Sequence, residues 1–308
     1  MALRNPDNLL VGRKKPSFEK NMKIITFDIG GTKILKAVAK INGEKFKFLE
    51  IEEEKNPRKE DKIKNIILAY CQKTRKRYWA KKIAFSAAHI VDLEKKIVIG
   101  GKWCYGTANF DLKFLEKNGF SVRAENDGGC FALGEYFFGK GKKEKNILAI
   151  TLGTEIGGGF INNGENYRGP HGSALEISHI SANYAGQWID WASLCAGKGI
   201  ENAYRKTTGQ KLSTKEIFLE EGKKNKAAKE VIVKAADALG MGMASLLNIL
   251  DPEKVIFGGS LSKQKKFVQH AIEIARKNIF NKKANYKFAI SSLGNKSNLL
   301  GAASLYLK

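Results

Sequence analysis

The hydrophobic pattern of the first half of the chain predicts a strand meander followed by a helix. Apolar, β-branched runs at Lys23 to Asp28, Ile34 to Lys40 and Lys45 to Ile51 are typical of strands. An Asn-Gly pair between the second and third runs predicts a hairpin turn. Apolar residues then recur three and four positions apart over Asp61 to Arg77, which predicts a helix, and Lys82 to Ser86 predicts the next strand.

The second half of the chain repeats this order. Asn146 to Leu152 and Ile156 to Asn162 predict two strands around a Gly-Thr turn, and Lys226 to Leu250 predicts the longest helix. Lys254 to Phe257 predicts a buried strand, and Ser297 to Leu307 predicts a final helix. Because the same elements occur twice, the pattern favours an α/β fold with two similar halves over one doubly wound sheet. The shorter predicted elements are the strands Ile97 to Ile99, Ser121 to Ala124 and Tyr286 to Ser291 and the helices Asp111 to Asn118, Asp127 to Phe138 and Ser262 to Asn278.

The composition excludes several classes of protein. Hydrophobic residues make up 43% of the 308 residues and charged residues 28%, which is typical of a globular chain with a core. The longest stretches without a charged residue are 13 residues long, and a membrane span needs about 20, so we expect no membrane segment. The four cysteines include no Cys-x-x-Cys pair, which favours a reducing cytoplasm over a disulfide framework or a zinc knuckle.

The net charge of +23 permits two interpretations, a nucleic-acid partner or a lysine-rich surface. The basic clusters are scattered along the chain and are not interleaved with aromatic residues. We therefore favour a lysine-rich surface, which would still attract anions such as nucleotides.

Three glycine-rich turns are candidates for holding phosphate. The first, Asp28 to Lys33, lies between two strands, so it does not match the P-loop or dinucleotide patterns, in which a helix begins at the phosphate. The second, Leu152 to Gly159, repeats that arrangement, and the third, Phe257 to Ser260, follows a buried strand and precedes a helix. One Gly-Gly turn is weak evidence because ordinary hairpins contain it. Three such turns, two pairing Gly with Thr, predict backbone N–H groups that face a nucleotide.

Two further groups of polar residues permit more than one interpretation. Asn126 and Asp127 follow a predicted strand, where they could cap the next helix, or Asp127 could accept the proton of an attacking hydroxyl. Glu176 and His179 lie three positions apart in a glycine-rich loop, which places them on one face of a helical turn. They could form half of a metal site or two hydrogen-bonding arms for a polyol.

Five sequence blocks together resemble the ROK family, which contains repressors, uncharacterised open reading frames and sugar kinases. They follow the family's order over about Met22 to Lys308. The blocks are FDIGGTKI (27–34), ENDGGCFALGE (125–135), LGTEIGGGFINNG (152–164), YRGPHGSALEISHI (167–180) and LLNILDPEKVIFGGSLS (246–262).

The resemblance implies a two-domain α/β fold of the actin-like ATPase (ribonuclease-H-like) class, with a cleft between the domains. We expect a flexible N-terminal extension at 1–21, a smaller domain at 22–125 to which the helix 297–308 returns, and a larger domain at 126–296. The repressor branch adds an N-terminal winged helix-turn-helix, and the 21 residues before Met22 are too few for one.

The resemblance also implies roles for individual residues. Asp127 matches the catalytic base, and Asn126, Glu176 and His179 match residues that bind the sugar. The expected cofactors are ATP and Mg²⁺, with Asp28 near the metal through water. The expected nucleotide contacts are Gly30, Gly31, Thr32 and Lys33 in the first turn, Gly153 and Thr154 in the second, and Gly258 and Gly259 at the adenosine.

The chain departs from the family pattern around the sugar. Residues 180–205 contain one cysteine, Cys195, in place of the cysteine-rich zinc motif, so we expect no structural zinc. Ala192 stands where a further sugar-binding carboxylate is expected, and Asp190 is a nearby substitute out of register. Ala88-His89 replaces a Pro-Gly pair, and Glu155 replaces a common glycine.

The resemblance, taken with these departures, implies an ATP-dependent kinase that acts on a hexose or an N-acylated hexosamine. The expected partners are a small-molecule sugar and ATP, and we expect no nucleic-acid or membrane partner. The expected location is the cytoplasm. The sequence leaves open whether the protein forms a homodimer. The alternative is a catalytically weak regulatory protein that binds a sugar or a nucleotide, and a third interpretation is a polyanion-binding surface protein.

Overall fold

Two mixed sheets with helices on their faces, together with two small antiparallel sheets, make up the part of the protein that the computed structural model describes, residues 21–99 and 109–307. In chain order the strands are β1 (Met22–Ile29), β2 (Lys33–Asn42), β3 (Lys45–Lys55), β4 (Lys82–Ala87), β5 (Ile90–Asp92), β6 (Ile97–Ile99), β7 (Phe110–Asp111), β8 (Ser121–Asn126), β9 (Ile147–Leu152), β10 (Ile156–Asn162), β11 (Glu165–Asn166), β12 (Ser181–Tyr184), β13 (Gln187–Asp190), β14 (Lys254–Gly258) and β15 (Lys287–Ile290). The helices are α1 (Glu60–Tyr78), α2 (Lys113–Lys117), α3 (Asp127–Phe138), α4 (Ala192–Cys195), α5 (Gly197–Thr208), α6 (Thr214–Gly222), α7 (Lys226–Leu250), α8 (Lys265–Asn278) and α9 (Lys296–Ser304), with 3₁₀ turns at Ile177–His179, Leu261–Lys263 and Leu305–Leu307.

The first sheet has the strand order β3-β2-β1-β4-β8. Its meander β1-β2-β3 is antiparallel, whereas β4 lies parallel to both β1 and β8. On its outer face, Ile63 and Ile67 of α1 pack against Ile25 and Phe27 of β1 in one apolar cluster. Since α1 connects β3 to β4, it covers the sheet in the way that a crossover helix does.

The second sheet repeats the topology of the first. Its order is β11-β10-β9-β14-β15, with an antiparallel meander of β9, β10 and β11 and with β14 parallel to β9 and β15. Helices α4 to α8 form the largest apolar cluster with its outer face. The predicted duplication of one strand-and-helix unit is therefore confirmed at the level of strand order.

Helices α3 and α9 lie between the two sheets. Helix α9 contacts β1 and β4 of the first sheet, α3 contacts β9 and β10 of the second, and the two helices contact each other. Their backbones meet at glycines, because a Cβ at Gly301 would overlap the Cys130 carbonyl and a Cβ at Gly134 would overlap the Ser297 carbonyl. The C-terminal helix thus packs against both the first sheet and α3.

Helix α7 is long and apolar enough to cross a membrane, with a mean hydropathy of 1.3 in its most apolar window. Half of that window is buried inside the protein. Leu239, Met243 and Leu247, spaced four residues apart, all lie in the apolar cluster of the second sheet. The apolar character of α7 therefore belongs to the core of the second half.

Several predicted boundaries are wrong. Asp111 does not begin a helix, because it pairs with Ile97 in the small sheet β5-β6-β7. The predicted helix from Ser262 is interrupted, since a 3₁₀ turn precedes α8 at Lys265. The hairpin β12-β13 and the helices α4 to α6 have no counterpart in the predicted elements. The predicted extension at 1–21 lies outside the described residues except for Asn21.

We predict that Gly301→Ala destabilises the protein by about 3 kcal/mol or more, because the backbones of α3 and α9 must separate to admit a methyl group. Gly222→Ala is the matched control, since a Cβ at this helical glycine would meet no atom of another described segment within 4 Å. We expect the control to have the same urea midpoint of unfolding as the wild type, or a slightly higher one. Equal unfolding midpoints for the two variants would contradict the close contact.

Candidate active site

The first two glycine-rich turns occupy equivalent places in the two halves. Gly30 to Thr32 join β1 to β2, and Gly153 to Glu155 join β9 to β10. Strands β1 and β9 are the central strands of their sheets. Thr32 and Thr154 are both exposed, so their hydroxyls are open to a ligand. The side chain of Lys33 also borders the first turn, where its Nζ lies 2.7 Å from Glu53.

The third turn lies beside the second. Gly258 ends β14, which is paired with β9. Gly259 has a φ of 83°, in the left-handed region, and a Cβ there would overlap the backbone of Leu152. A Cβ at Gly258 would overlap the ring of Phe131. Both glycines are therefore required by the protein's own packing, whatever they contact in a ligand.

Asp28, at the end of β1, is held by two groups that are distant in sequence. Its Oδ1 accepts hydrogen bonds from Ser86 Oγ of β4 at 2.8 Å and from Asn298 Nδ2 of α9 at 3.4 Å. Burial raises the pKa of Asp28, and these two hydrogen bonds and the charge of Lys33 oppose that rise. Sequence analysis did not identify Ser86 or Asn298, because nothing local marks them.

Asp127 is the first residue of α3 and directly follows the last residue of β8 in the first sheet. Burial raises the pKa of Asp127 to about 7, and the negative charge of Asp28 contributes to the rise. A hydrogen bond from the Gly128 N–H, at 2.8 Å, opposes it, and the charge of Glu176 adds to it. The fold thus brings three carboxylates from separate sequence blocks close enough to interact.

Asn126 caps α3, since its Oδ1 accepts a hydrogen bond from the Gly129 N–H at 3.1 Å. The capping interpretation of Asn126 is therefore confirmed. The cap uses the amide oxygen, so the amide nitrogen can still donate to a substrate hydroxyl. For this residue the two interpretations are compatible.

The loop that follows β11 brings Glu176 and His179 to adjacent positions. Glu176 precedes a 3₁₀ turn, and its carbonyl accepts a hydrogen bond from the His179 N–H at 3.1 Å. His179 Nδ1 lies 3.2 Å from Asp190 Oδ2, because the hairpin β12-β13 folds back and pairs Asp190 with Ser181. Asp190 therefore contacts the His179 imidazole, which the family resemblance predicts to bind the sugar.

Ala192 and Cys195 lie in the core of the second half. Ala192 is 5% exposed and Cys195 is fully buried, with its thiol directed at the Trp191 carbonyl. Among residues 21–99 and 109–307, no three His, Cys, Asp or Glu side chains form a group that could hold a metal ion. The expectation that no structural zinc is bound stays a prediction, and Cys104 lies outside those ranges.

A buried carboxylate, whose role the sequence did not reveal, holds the loop that contains Glu176 against β8. Glu125 is 4% exposed and accepts hydrogen bonds from the Asn126 N–H at 2.8 Å and from Asn166 Nδ2 at 3.0 Å. Arg168 Nε lies 3.4 Å from Glu125, and Arg168 Nη2 donates to the Val91 carbonyl at 2.7 Å. Arg168 therefore links the loop with Glu176 to β5 of the first half.

His89 lies two residues beyond the end of β4, in the position where a Pro-Gly pair was expected. Its φ of 116° is one that L-residues rarely adopt. Its Nε2 is buried and has no hydrogen-bond partner among the described residues, and burial lowers the pKa of His89. The imidazole is therefore neutral at physiological pH, at the sheet edge that also carries Asn126.

Comparison with known proteins identifies the family. A model of the ROK family matches residues 24–308 of the chain. The chain belongs to the ROK family. The N-acetyl-D-glucosamine kinase of Histophilus somni is 29% identical to this ROK protein over an alignment of 308 positions, which covers 91% of this chain and 98% of that protein. The glucokinase of Streptomyces coelicolor is 29% identical over an alignment of 317 positions, which covers 91% of this chain and 96% of that protein.

A solved structure agrees with the architecture. The ROK family glucokinase from Streptomyces griseus, in complex with glucose and AMPPNP, superposes with a TM-score of 0.77 at 25% identity and covers 92% of this chain and 98% of that one. The predicted α/β fold of the actin-like ATPase class is therefore confirmed. The domain boundaries and the roles of single residues stay predictions.

We predict that Asp127→Asn stabilises the protein without substrate at pH 8. The pKa of Asp127 is about 7 in the folded state and near 3.8 in an unfolded chain, so above pH 7 folding must bury an ionised carboxylate. We expect a gain of about 1–4 kcal/mol at pH 8 that shrinks toward pH 4, measured by thermal unfolding. Asp61→Asn, at an exposed site in the first turn of α1, is the control. A gain independent of pH would contradict the raised pKa.

Proposed function

We propose that this ROK-family protein is an ATP-dependent sugar kinase that phosphorylates a hydroxyl of a hexose or an N-acylated hexosamine. The observation that carries the proposal is the position of Asp127, a carboxylate with a raised pKa that begins α3 and interacts with Asp28 at the end of β1. A base whose pKa lies near neutral pH is suited to accept the proton of an attacking hydroxyl. The names of the related kinases support the same reaction class.

In this proposal Asp127 takes the proton as the sugar oxygen attacks the γ-phosphorus and the bond to the β-phosphate oxygen breaks. Asn126, Glu176 and His179 hold the sugar hydroxyls, and Asp190 orients the His179 imidazole at 3.2 Å. The products are the sugar phosphate and ADP, with the proton left on Asp127.

The two equivalent turns would hold the phosphates. Gly31 and Thr32 of the first half and Thr154 of the second would supply backbone N–H groups and hydroxyls, and Lys33 would supply an amine. Gly30 and Gly153 would shape the turns, because their own N–H groups donate to the Lys33 and Glu155 carbonyls at 3.0 Å. Gly258 and Gly259 would approach the adenosine, because they follow β14 beside the second turn. This assignment uses all three glycine-rich turns.

The residues around Asp28 fit a Mg²⁺ ion that arrives with ATP. Asp28 is a carboxylate enclosed beside a second carboxylate, and a cation would offset their mutual repulsion. Mg²⁺ commonly keeps several waters and uses one or two protein carboxylates with substrate phosphates, so no three-ligand protein group is needed. When bound, the ion would neutralise charge on the β- and γ-phosphates.

We further propose a cytoplasmic location and no nucleic-acid or membrane partner. Cys71, Cys130 and Cys195 are buried and form no disulfide within the described part of the chain, which fits a reducing compartment. Burial raises the pKa of all three thiols, so they are poor nucleophiles. A homodimer is compatible with this proposal and is not required by it.

ADP release measured over a panel of sugars tests the proposal and includes a specific prediction. Because Ala192 replaces an expected carboxylate, we expect glucose to have a KM higher by about one to several orders of magnitude than the best N-acylated hexosamine or epimeric hexose. Ala192→Glu should lower the glucose KM, and Ala192→Gln, of equal size and without charge, should not. Because Ala192 is 5% exposed, thermal unfolding of each variant must accompany the assay.

Two outcomes of this panel would contradict the account. Tight and fast glucose phosphorylation by the natural protein would show that another residue supplies the carboxylate. Sugar binding without ADP release, for every sugar in the panel, would favour the regulatory alternative.

We predict that Asp127→Asn lowers turnover by about 10²- to 10⁴-fold with little change in the KM for ATP, because the side chain keeps its size and loses its basicity. In the wild type, kcat/KM should fall as the pH drops below about 7, since the base must be ionised to accept a proton. A kcat/KM that stays constant from pH 8 to below Asp127's pKa, or full turnover by the variant, would remove Asp127 from this role.

A further inference from the structure

The carbonyl groups of the first phosphate turn are held from outside by the segment Asn56-Pro57-Arg58, here called the strap. Asn56 Nδ2 donates to the Gly30 carbonyl at 2.8 Å, and the Asn56 N–H donates to the Thr32 carbonyl at 3.0 Å. Arg58 Nε donates to the Gly31 carbonyl at 3.1 Å. Three successive carbonyls of the turn therefore face the strap.

Because the peptide group is planar, the hydrogen bonds that hold these carbonyls also fix the orientation of the peptide groups in the turn. In a trans peptide the N–H of one residue points opposite to the carbonyl of the residue before it. When the strap holds the carbonyls of Gly30 and Gly31, the N–H groups of Gly31 and Thr32 point away from the strap. A glycine-rich turn without such a contact could rotate these peptide groups at little cost.

The second turn is held in the same way by different groups. The backbone N–H groups of Gly197 and Lys198, at the start of α5, donate to the carbonyls of Gly153 and Thr154 at 2.8 and 3.1 Å. In each half of the protein, a neighbouring segment therefore holds the carbonyls of the phosphate turn by hydrogen bonds. The second half uses main-chain donors, whereas the first uses one main-chain donor, the Asn56 N–H, and the side chains of Asn56 and Arg58.

The strap is itself well ordered by local contacts. Asn56 is 3% exposed, and its Oδ1 accepts a hydrogen bond from the Arg58 N–H at 2.8 Å across the intervening proline. Arg58 has a φ of 56°, which this turn imposes on a residue that ordinarily avoids it. Both polar atoms of the Asn56 amide are thus hydrogen-bonded, the oxygen to the Arg58 N–H and the nitrogen to the phosphate turn.

We propose that Asn56 and Arg58 are positioning residues for the nucleotide phosphates. They act through the first turn, because their hydrogen bonds fix the direction of the Gly31 and Thr32 N–H groups toward the phosphates. The inference rests on the proposed function, since that function assigns the turn to ATP. It adds a role for two residues that lie outside the glycine-rich turns.

A pair of substitutions at Arg58 separates hydrogen bonding from charge. Arg58→Gln places the amide nitrogen at the same distance along the side chain as Nε, so it keeps the donor and loses the charge. Arg58→Met has similar length and loses both. We expect Arg58→Met to raise the KM for ATP and the dissociation constant of AMPPNP about tenfold, and Arg58→Gln to stay within about twofold of the wild type.

One control variant, one further test variant and two control measurements accompany this pair. Lys59→Ala removes an exposed positive charge one residue away, whose side chain makes no capping hydrogen bond, and should leave the KM for ATP unchanged. Asn56→Asp keeps the acceptor for the Arg58 N–H but replaces the donor to Gly30 with a carboxylate, and should raise the KM for ATP at least tenfold. The KM for the sugar and the unfolding temperature should change little in the Arg58 variants, because Arg58 is exposed.

The outcomes distinguish this inference from the proposed function. Equal weakening by Arg58→Gln and Arg58→Met would overturn the positioning role in favour of direct charge attraction. Normal nucleotide affinity in Arg58→Met and Asn56→Asp would overturn it altogether, while leaving sugar phosphorylation intact. If the wild type binds AMPPNP and phosphorylates no sugar, the proposed function fails, and the AMPPNP affinities of the variants still decide the role of the strap.

Discussion

Glycines allow the backbone of helix α3 to approach the backbones of β10 in the second sheet and of helix α9 closely. A side chain at Gly128 would overlap the Gly158 backbone, a side chain at Gly159 of β10 would overlap the Gly128 carbonyl, and a side chain at Gly301 of α9 would overlap the Cys130 carbonyl. These contacts fix the axis and the depth of α3 against both halves of the protein. Its first residue, Asp127, is therefore held beside the ends of strands from the first sheet.

This placement has an electrostatic consequence. Asp127 and Asp28 are enclosed together, and burial and mutual repulsion raise the pKa of Asp127 to about 7. The protein carries a net charge of +23, whereas Asp28 and Asp127 are two acidic groups enclosed in its interior. An anionic nucleotide is attracted by the surface and would bring its own cation to the carboxylates.

The sequence predicts those features that depend on local patterns. The Asn42-Gly43 turn, the helix Lys226–Leu250 and the duplicated strand order follow from periodicity and turn chemistry and are all present. Contacts between distant segments leave no such local mark. Asn298 reaches Asp28 across 270 residues, and Arg58 reaches the first turn from beyond β3, so neither could be identified from its own surroundings.

The most direct measurement is a crystal structure of the protein with AMPPNP, Mg²⁺ and the sugar that the assay selects. The account predicts that an Asp127 carboxylate oxygen lies about 2.6–3.2 Å from the hydroxyl that faces the γ-phosphate. It also predicts phosphate oxygens against the N–H groups of Gly31 and Thr32. A sugar hydroxyl in line with the γ-phosphate but out of reach of Asp127, or phosphates bound away from the first turn, would contradict it.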